Sequence, residues 1–179
     1  MAVAATLFPD LDGHWFPVKD GDPRVANMYT RHYSYRPYKD NRRAVARQMG
    51  FAGIGEKIVL LSQDGAAAYV WRKFSANAEM IEKYGWQTGI GCTFFRNEGS
   101  IRSSDLIREA VEIAWRRWPG ERLFTYVWDD KVATSQQRGR AKAGWCYRKA
   151  GWTPCGRNAD GRLTILEIRP SPLAAGQAR

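Results

Sequence analysis

Cysteine is scarce in this chain and odd in number: Cys92, Cys146 and Cys155 are all there is, and no two stand in CxxC spacing. That excludes a disulfide framework and a zinc knuckle, and it fits a reduced, cytoplasmic chain with no metal site. Long apolar runs are missing as well. Nothing approaches the roughly 20 residues a membrane helix needs, and the N-terminal stretch lacks the basic-then-apolar pattern of a signal peptide. Acidic residues are in deficit, 18 against 28 Lys and Arg, for a net charge of +10. So basic a balance favours a polyanionic partner, nucleic acid first; the alternative is a basic protein that merely stays soluble. What the chain does have is apolar mass. Of 179 residues 44% are hydrophobic, eight of them tryptophan, enough to exclude disorder and to bury one core without staples.

Taken in order, residues 1–21 show no period and are expected to form an irregular N-terminal arm. Asp22-Pro23 reads as a helix start, a capping carboxylate followed by proline at the first helical position. Val25, Met28, Tyr29 and His32 then share one helical face. A glycine-rich corner at residues 50–55 leads to a hairpin, Lys57–Gln63 and Ala66–Phe74 around Asp64-Gly65. Tyr84–Arg96 reads as a third strand with glycines marking a bulge. The clearest helix follows, with Ser103 or Ser104 as its cap, Leu106, Ile107, Ala110, Val111, Ala114 and Trp118 as its buried stripe, and Pro119-Gly120 as its stop. A strand at Leu123–Trp128, a polar basic loop and a short helix from Ala143 come next, with Gly151 as the left-handed residue closing that helix. Strands near Trp152–Cys155 and Leu163–Arg169 complete the pattern, and residues 171–179 read as a flexible tail. The fold class is α/β (α+β): one domain over residues 1–170, a mixed, mostly antiparallel sheet flanked by helices.

Two features carry chemistry. The loop Arg96–Ser104 joins a strand to a helix N-terminus, where free backbone N–H groups and the positive helix end favour an anion. Gly99 permits close approach, Arg96 and Arg102 add charge, and Ser100, Ser103 and Ser104 add hydroxyls. The second feature is a pair of basic tracts. One interleaves Arg36, Lys39, Arg42 and Arg43 with tyrosines; the other sets Arg138, Arg140 and Lys142 in a Ser/Thr/Gln/Gly-rich loop. Cations match phosphates and aromatic faces stack on unpaired bases; the alternative for both tracts is a solvated loop.

The run Tyr147-Arg148-Lys149-Ala150-Gly151-Trp152 resembles the C-terminal half of GNAT acyltransferases, where a tyrosine on the last helix precedes Lys-x-Gly-aromatic. In those enzymes the loop after the fourth strand holds the pyrophosphate of coenzyme A through Arg/Gln-x-x-Gly-x-Gly/Ala. Arg96-x-x-Gly99-x-Ile101 keeps the first two positions and departs at the last. The pattern Gln136-x-x-Gly139-x-Ala141 stands one strand too late in the order. The chain is closer still to the GNAT-like Mom family of phage proteins that modify adenine in DNA. An Arg31-His32-Tyr33 segment, Trp71-Arg72 at a strand end, Ser103-Ser104-Asp105-Leu106-Ile107 and Gly144-x-x-Tyr147-x-x-Gly151-Trp152 carry that resemblance. It implies a phage or prophage group-transfer enzyme acting on nucleic-acid bases, with acetyl-CoA or another acyl-CoA as donor and His32, Asp129 and Tyr147 in its active site. Residues 129–144 contain no histidine, where family members often carry a Gly-His pair.

Acyl transfer from a thioester needs a base or water relay at the nucleophile and a proton donor for the leaving thiolate. Tyr147 suits the donor; Asp129 or His32 suits the base. The structural alternatives are a His32 satisfied on a packed helix face, a Tyr147 that only packs its ring, and an Asp129 that only turns the chain. Cys146, beside basic residues, is a further nucleophile without an identified histidine partner. Two rival functions stay open: an ordinary N-acetyltransferase on a small amine or protein, and a GNAT-shaped nucleic-acid or protein-binding module without its cofactor. Sequence leaves oligomeric state open.

Overall fold

Two runs, Lys57–Ser62 (β2) and Ala67–Phe74 (β3), are buried at nearly every position, so both faces of the hairpin they form have to be covered. The turn is set by Asp64, whose Oδ1 accepts from the Ser62 hydroxyl at 2.6 Å and from the Ala66 N–H at 3.0 Å. Ile58, Leu60, Tyr69 and Trp71 point into one core; Val59, Leu61, Ala68 and Val70 point into the other. The helix Pro23–Thr30 (α1) closes the second core with Val25 and Met28, its start fixed by Asp22 accepting from the Arg24 N–H.

In this computed structural model residues 13–35, 50, 52–53, 55–74, 77–128 and 144–171 are described. The hairpin lies within a seven-stranded sheet whose other strands are Trp15–Val18 (β1), Gly89–Asn97 (β4), Leu123–Trp128 (β5), Thr153–Arg157 (β6) and Leu163–Ile168 (β7). Their order is β1-β2-β3-β4-β5-β7-β6, and every adjacent pair is antiparallel except β4 and β5. Three more helices are Ala78–Tyr84 (α2), Ser103–Arg117 (α3) and Trp145–Lys149 (α4). The α3 stripe of Leu106, Ile107, Ala110 and Ala114 fills the first core, as its spacing predicts. Two indoles fasten it: Trp15 Nε1 donates to the Leu106 carbonyl and Trp71 Nε1 to the Ala110 carbonyl, each at 2.9 Å. The architecture is α+β with a mixed sheet. No helix among the described residues is long and apolar enough to cross a membrane.

Three expectations need correction. Residues 15–18, inside the segment read as an irregular arm, form edge strand β1 in register with β2. The span Tyr84–Arg96 is not one strand. Asn77 Oδ1 caps α2 by accepting from the Met80 N–H, Gly85 ends it at φ 62, and β4 begins only at Gly89. Neither Ser103 nor Ser104 caps α3: Arg102 occupies the cap position with no side-chain bond, while Ser103 Oγ receives Asn97 Nδ2 at 3.0 Å. Gly151 has the expected left-handed φ, 94.

One irregularity positions the site. Across β3 and β4, Val70 pairs with Phe94 but Trp71 pairs with Cys92, so Thr93 is skipped in the register. This bulge reverses the alternation of β4. Ile90 and Cys92 face the α3 core, Phe94 faces the α1 core, and Phe95 returns to the α3 side. A bulge bends its strand and ends pairing. The parallel rungs to β5 accordingly stop at Cys92 with Thr125.

Candidate active site

Beyond that last rung β4 and β5 stand apart, and a cavity of about 700 Å³ lies between them, α3 and α4. His32, Arg102, Ser103, Ser104 and Tyr147 all line it, so the structure brings together five of the residues singled out from sequence. Arg96, Gly99 and Ser100 are not part of the lining. Arg96 turns away to bond Glu98 Oε1 at 2.5 Å and the Arg31 carbonyl at 2.7 Å. Gly99 rests on the hairpin turn, where a Cβ would meet Asp64 Oδ2 at 2.9 Å and the Ala66 methyl at 3.1 Å. Asp129, Arg36, Lys39, Arg42, Arg43, Arg138, Arg140 and Lys142 lie outside the described residues, as do Gln136, Gly139 and Ala141.

The cavity has a basic rim. The Arg102 guanidinium makes no hydrogen bond or ion pair among the described residues, and the first turn of α3 beside it has no side-chain cap. Arg108 bridges α3 to α4 through Asp105 Oδ1 at 2.6 Å and the Lys149 carbonyl at 2.5 Å. The Lys149 ammonium sits 4.8 Å from the centre of the half-exposed Trp145 ring. An anion entering here meets three cations and free backbone N–H groups.

At the inner end the chemistry changes. Tyr147 is buried, wedged edge-on against Phe95 and Trp152, with its hydroxyl 3.3 Å from Cys92 Sγ. Burial, then the neighbouring Cys92, holds its pKa well above the ordinary tyrosine value, so it stays a neutral phenol. Burial likewise pushes the Cys92 thiol up to about 11 and raises that of Cys146. A raised pKa disfavours the thiolate that a nucleophilic cysteine requires, for both sulfurs.

His32 is held by a network that spans the chain. Arg31 grips Glu98 with two parallel bonds, at 2.9 and 2.7 Å, and Arg96 binds the same carboxylate. The two guanidiniums pull the Glu98 carboxyl down to about 2. The imidazole packs 5.1 Å from Phe94, and its Nδ1 receives the Ser34 N–H at 3.2 Å beside the Ser34 hydroxyl at 2.7 Å. A ring nitrogen that accepts a backbone N–H carries no proton, so in the neutral ring the hydrogen resides on Nε2. Burial first, and the Arg96 charge second, lower the His32 pKa to about 4. With Nδ1 accepting the Ser34 N–H, the neutral ring presents Nε2–H as a donor.

A second cavity, of about 350 Å³, opens on the other face of β5. Thr125 and Val127 face the first cavity; Phe124 and Trp128 face the second, with Phe74 and Tyr33 completing an aromatic lining. Its rim carries Asp160 and Arg162 from the β6–β7 turn, 4.0 Å apart. The two cavities share His32, Tyr33, Cys92, Thr93 and Tyr126. Sequence reading missed this aromatic wall. The signal was present, since Phe124, Tyr126 and Trp128 alternate and must share one face of a strand. Cys92 and Arg108 carried no signal of their own, while Lys149 was visible only as part of the Lys-x-Gly-aromatic run. Comparison of the chain with family models, curated proteins and solved structures gives no match.

Proposed function

We propose that this chain is a GNAT-like group-transfer enzyme, with an acyl-coenzyme A donor in the larger cavity and a nucleic-acid base as acceptor in the aromatic one. The observation that carries the reading is the meeting of two unlike cavities at Cys92–Thr93, where β4 leaves β5 and the Tyr147 hydroxyl lies. The residues suit the donor. Arg102, Arg108 and Lys149 with the uncapped start of α3 match its phosphates, that loop follows the fourth strand as the GNAT resemblance implies, and the neutral inner end suits a thioester. On the acceptor side, aromatic walls suit a flat base. The rim pairs Asp160 with Arg162 instead of gathering carboxylates, which favours a neutral ring over a cationic small amine. The net charge of +10 supports a nucleic-acid substrate.

Bound coenzyme A thioester supplies a carbonyl activated by a sulfur leaving group. Tyr147 gives its hydroxyl proton to that sulfur as the carbon–sulfur bond breaks and the electron pair moves onto sulfur. The proton lost by the attacking amine nitrogen restores the phenol, so charge and protons balance. His32 offers Nε2–H to the oxygen on which charge develops. Asp129, the residue after β5, is the proposed base that takes the amine proton and passes it on to the phenolate. The test is mass spectrometry of nucleosides from DNA and RNA of cells expressing the protein, beside calorimetry with acetyl-CoA. A new acylated nucleoside is expected; absence of heat with any acyl-CoA together with unmodified nucleosides would sink the reading.

A further inference from the structure

One buried group at the meeting point of the cavities has no part in the transfer just described: the Cys92 thiol. Its sulfur stands in hydrogen-bonding geometry to the Phe94 carbonyl at 3.5 Å and the Tyr147 hydroxyl at 3.3 Å, with the Tyr69 and Thr125 hydroxyls also close to it. A carbonyl oxygen only accepts, so the thiol proton goes to Phe94 and the sulfur is left as the acceptor of the Tyr147 O–H. Beside the same thiol and the same tyrosine lies Tyr69, 0% exposed, whose hydroxyl interacts with both Cys92 and Tyr147 but stands in hydrogen-bonding geometry to neither. A buried unpaired hydroxyl is unusual enough to require a reason.

We propose that Cys92 is a positioning residue that holds the Tyr147 proton at rest and yields it to the cavity during transfer, the Tyr69 hydroxyl then occupying the vacated sulfur. Sulfur is a weak acceptor. The phenol is thus oriented without being bound tightly, and its proton turns towards a stronger acceptor when one arrives. The exchange loses one weak bond to Cys92 and gains another from Tyr69, which explains why that hydroxyl waits unpaired. No bond forms to Cys92, and its own proton stays with Phe94. The inference rests on the reading of Tyr147 as proton donor.

Infrared spectroscopy of the full-length protein tests the resting arrangement without needing turnover. The S–H stretching band of Cys92, assigned by its loss in Cys92→Ala, is expected to differ between wild type and Tyr147→Phe. Acetyl-CoA, which has no thiol, should move the band in wild type and leave it in place in Tyr147→Phe. Identical bands in wild type and Tyr147→Phe overturn the proposal. Kinetics with acetyl-CoA and a single-stranded oligonucleotide supply a second arm. A serine oxygen accepts more strongly, so Cys92→Ser should lose about five-fold more kcat than Cys92→Ala at equal KM, although the alanine variant leaves the larger void and melts lower. A role in packing alone reverses that ranking and also overturns the proposal. Full activity of Tyr147→Phe, or no acetyl-CoA binding by calorimetry, removes the acyl-transfer reading instead, and the comparison of bands still decides the resting hydrogen bond.

Discussion

At its first end the parallel pair of β4 and β5 is packed until a methyl group would not fit, while at its other end the same strands stand apart around two cavities. A Cβ on Gly89 would meet the Arg122 carbonyl at 2.5 Å, and one on Gly91 would meet the Phe74 ring at 2.5 Å and the Phe124 ring at 3.0 Å. Arg122 clamps this end, bonding Glu167 on β7, the Thr88 carbonyl at 3.1 Å and Gln87 Oε1 at 3.0 Å. Around the Thr93 bulge the neighbours are titratable groups that burial holds in their neutral forms. The two ends differ in kind: the closing residues are glycine and arginine, and the opening residues are tyrosine, histidine and cysteine.

Substitutions at the two ends should therefore fail in different ways. The largest effect belongs to Tyr147→Phe, which should lose about 100-fold or more in kcat, the ordinary loss for one positioned acid–base group. Its melting temperature should stay close to wild type, since only one weak hydrogen bond disappears; a matching loss of stability would erase the contrast. Gly89→Ala should do the reverse. Gly89 sits at φ 107 against a backbone oxygen. A side chain there should lower unfolding free energy by about 3 kcal/mol, measured by urea titration, with acetyl-CoA affinity retained in the folded fraction. Arg102→Glu should weaken acetyl-CoA binding about ten-fold in calorimetry while leaving stability unchanged, because the side chain has no partner to lose among the described residues.

The smallest effect is a pH dependence. The unfolded chain takes a proton on His32 near 6.5, and the folded chain only near 4. Between those values the unfolded state binds more protons, so stability falls as pH drops from about 6.5 to about 4 and is insensitive to His32 above that window. His32→Asn keeps an acceptor for the Ser34 N–H and cannot titrate, so it should flatten the slope in this interval. The Glu98 carboxyl, held to about 2 from an ordinary 4.5, acts in a lower window: its share of stability is intact above 4.5 and lost as pH falls towards 2. A slope unchanged in His32→Asn would assign the acid sensitivity elsewhere.

Local signals were legible in the sequence and pairings made at a distance were not. The Asp22-Pro23 start, the Asp64-Gly65 turn, the α3 stripe and Gly151 each depend on neighbours within a few residues. β1 escaped because it is four residues long and carries Pro17, which an edge strand tolerates and a central strand does not. α2 escaped because two turns of helix ending in glycine resemble a loop before a bulged strand. Of the expected site, the residues at the start of α3 and on α4 came together because each is fixed by its own helix. Arg96 went elsewhere because Arg31, 65 positions away, offered a carbonyl and the same Glu98 offered a carboxylate. The bulge at Thr93 is a property of β3 and β4 together, and β4 alone does not reveal it.

The two indole bonds to α3 have a mechanical consequence. Leu106 and Ala110, which receive them, are one helical turn apart on one side of the helix, and the donors come from β1 and β3. A helix gripped at successive turns by two different strands cannot roll or slide without releasing both grips. The first turn of α3, and with it Arg102, Ser103 and Ser104, is thereby fixed in height relative to β4. Amide hydrogen exchange along the middle of α3 should be as slow as in the central strands, and the two should exchange together when the molecule opens. Any adjustment to a bound molecule then has to come from α4 and the segment after α1, leaving one wall of the larger cavity stationary while the opposite wall moves.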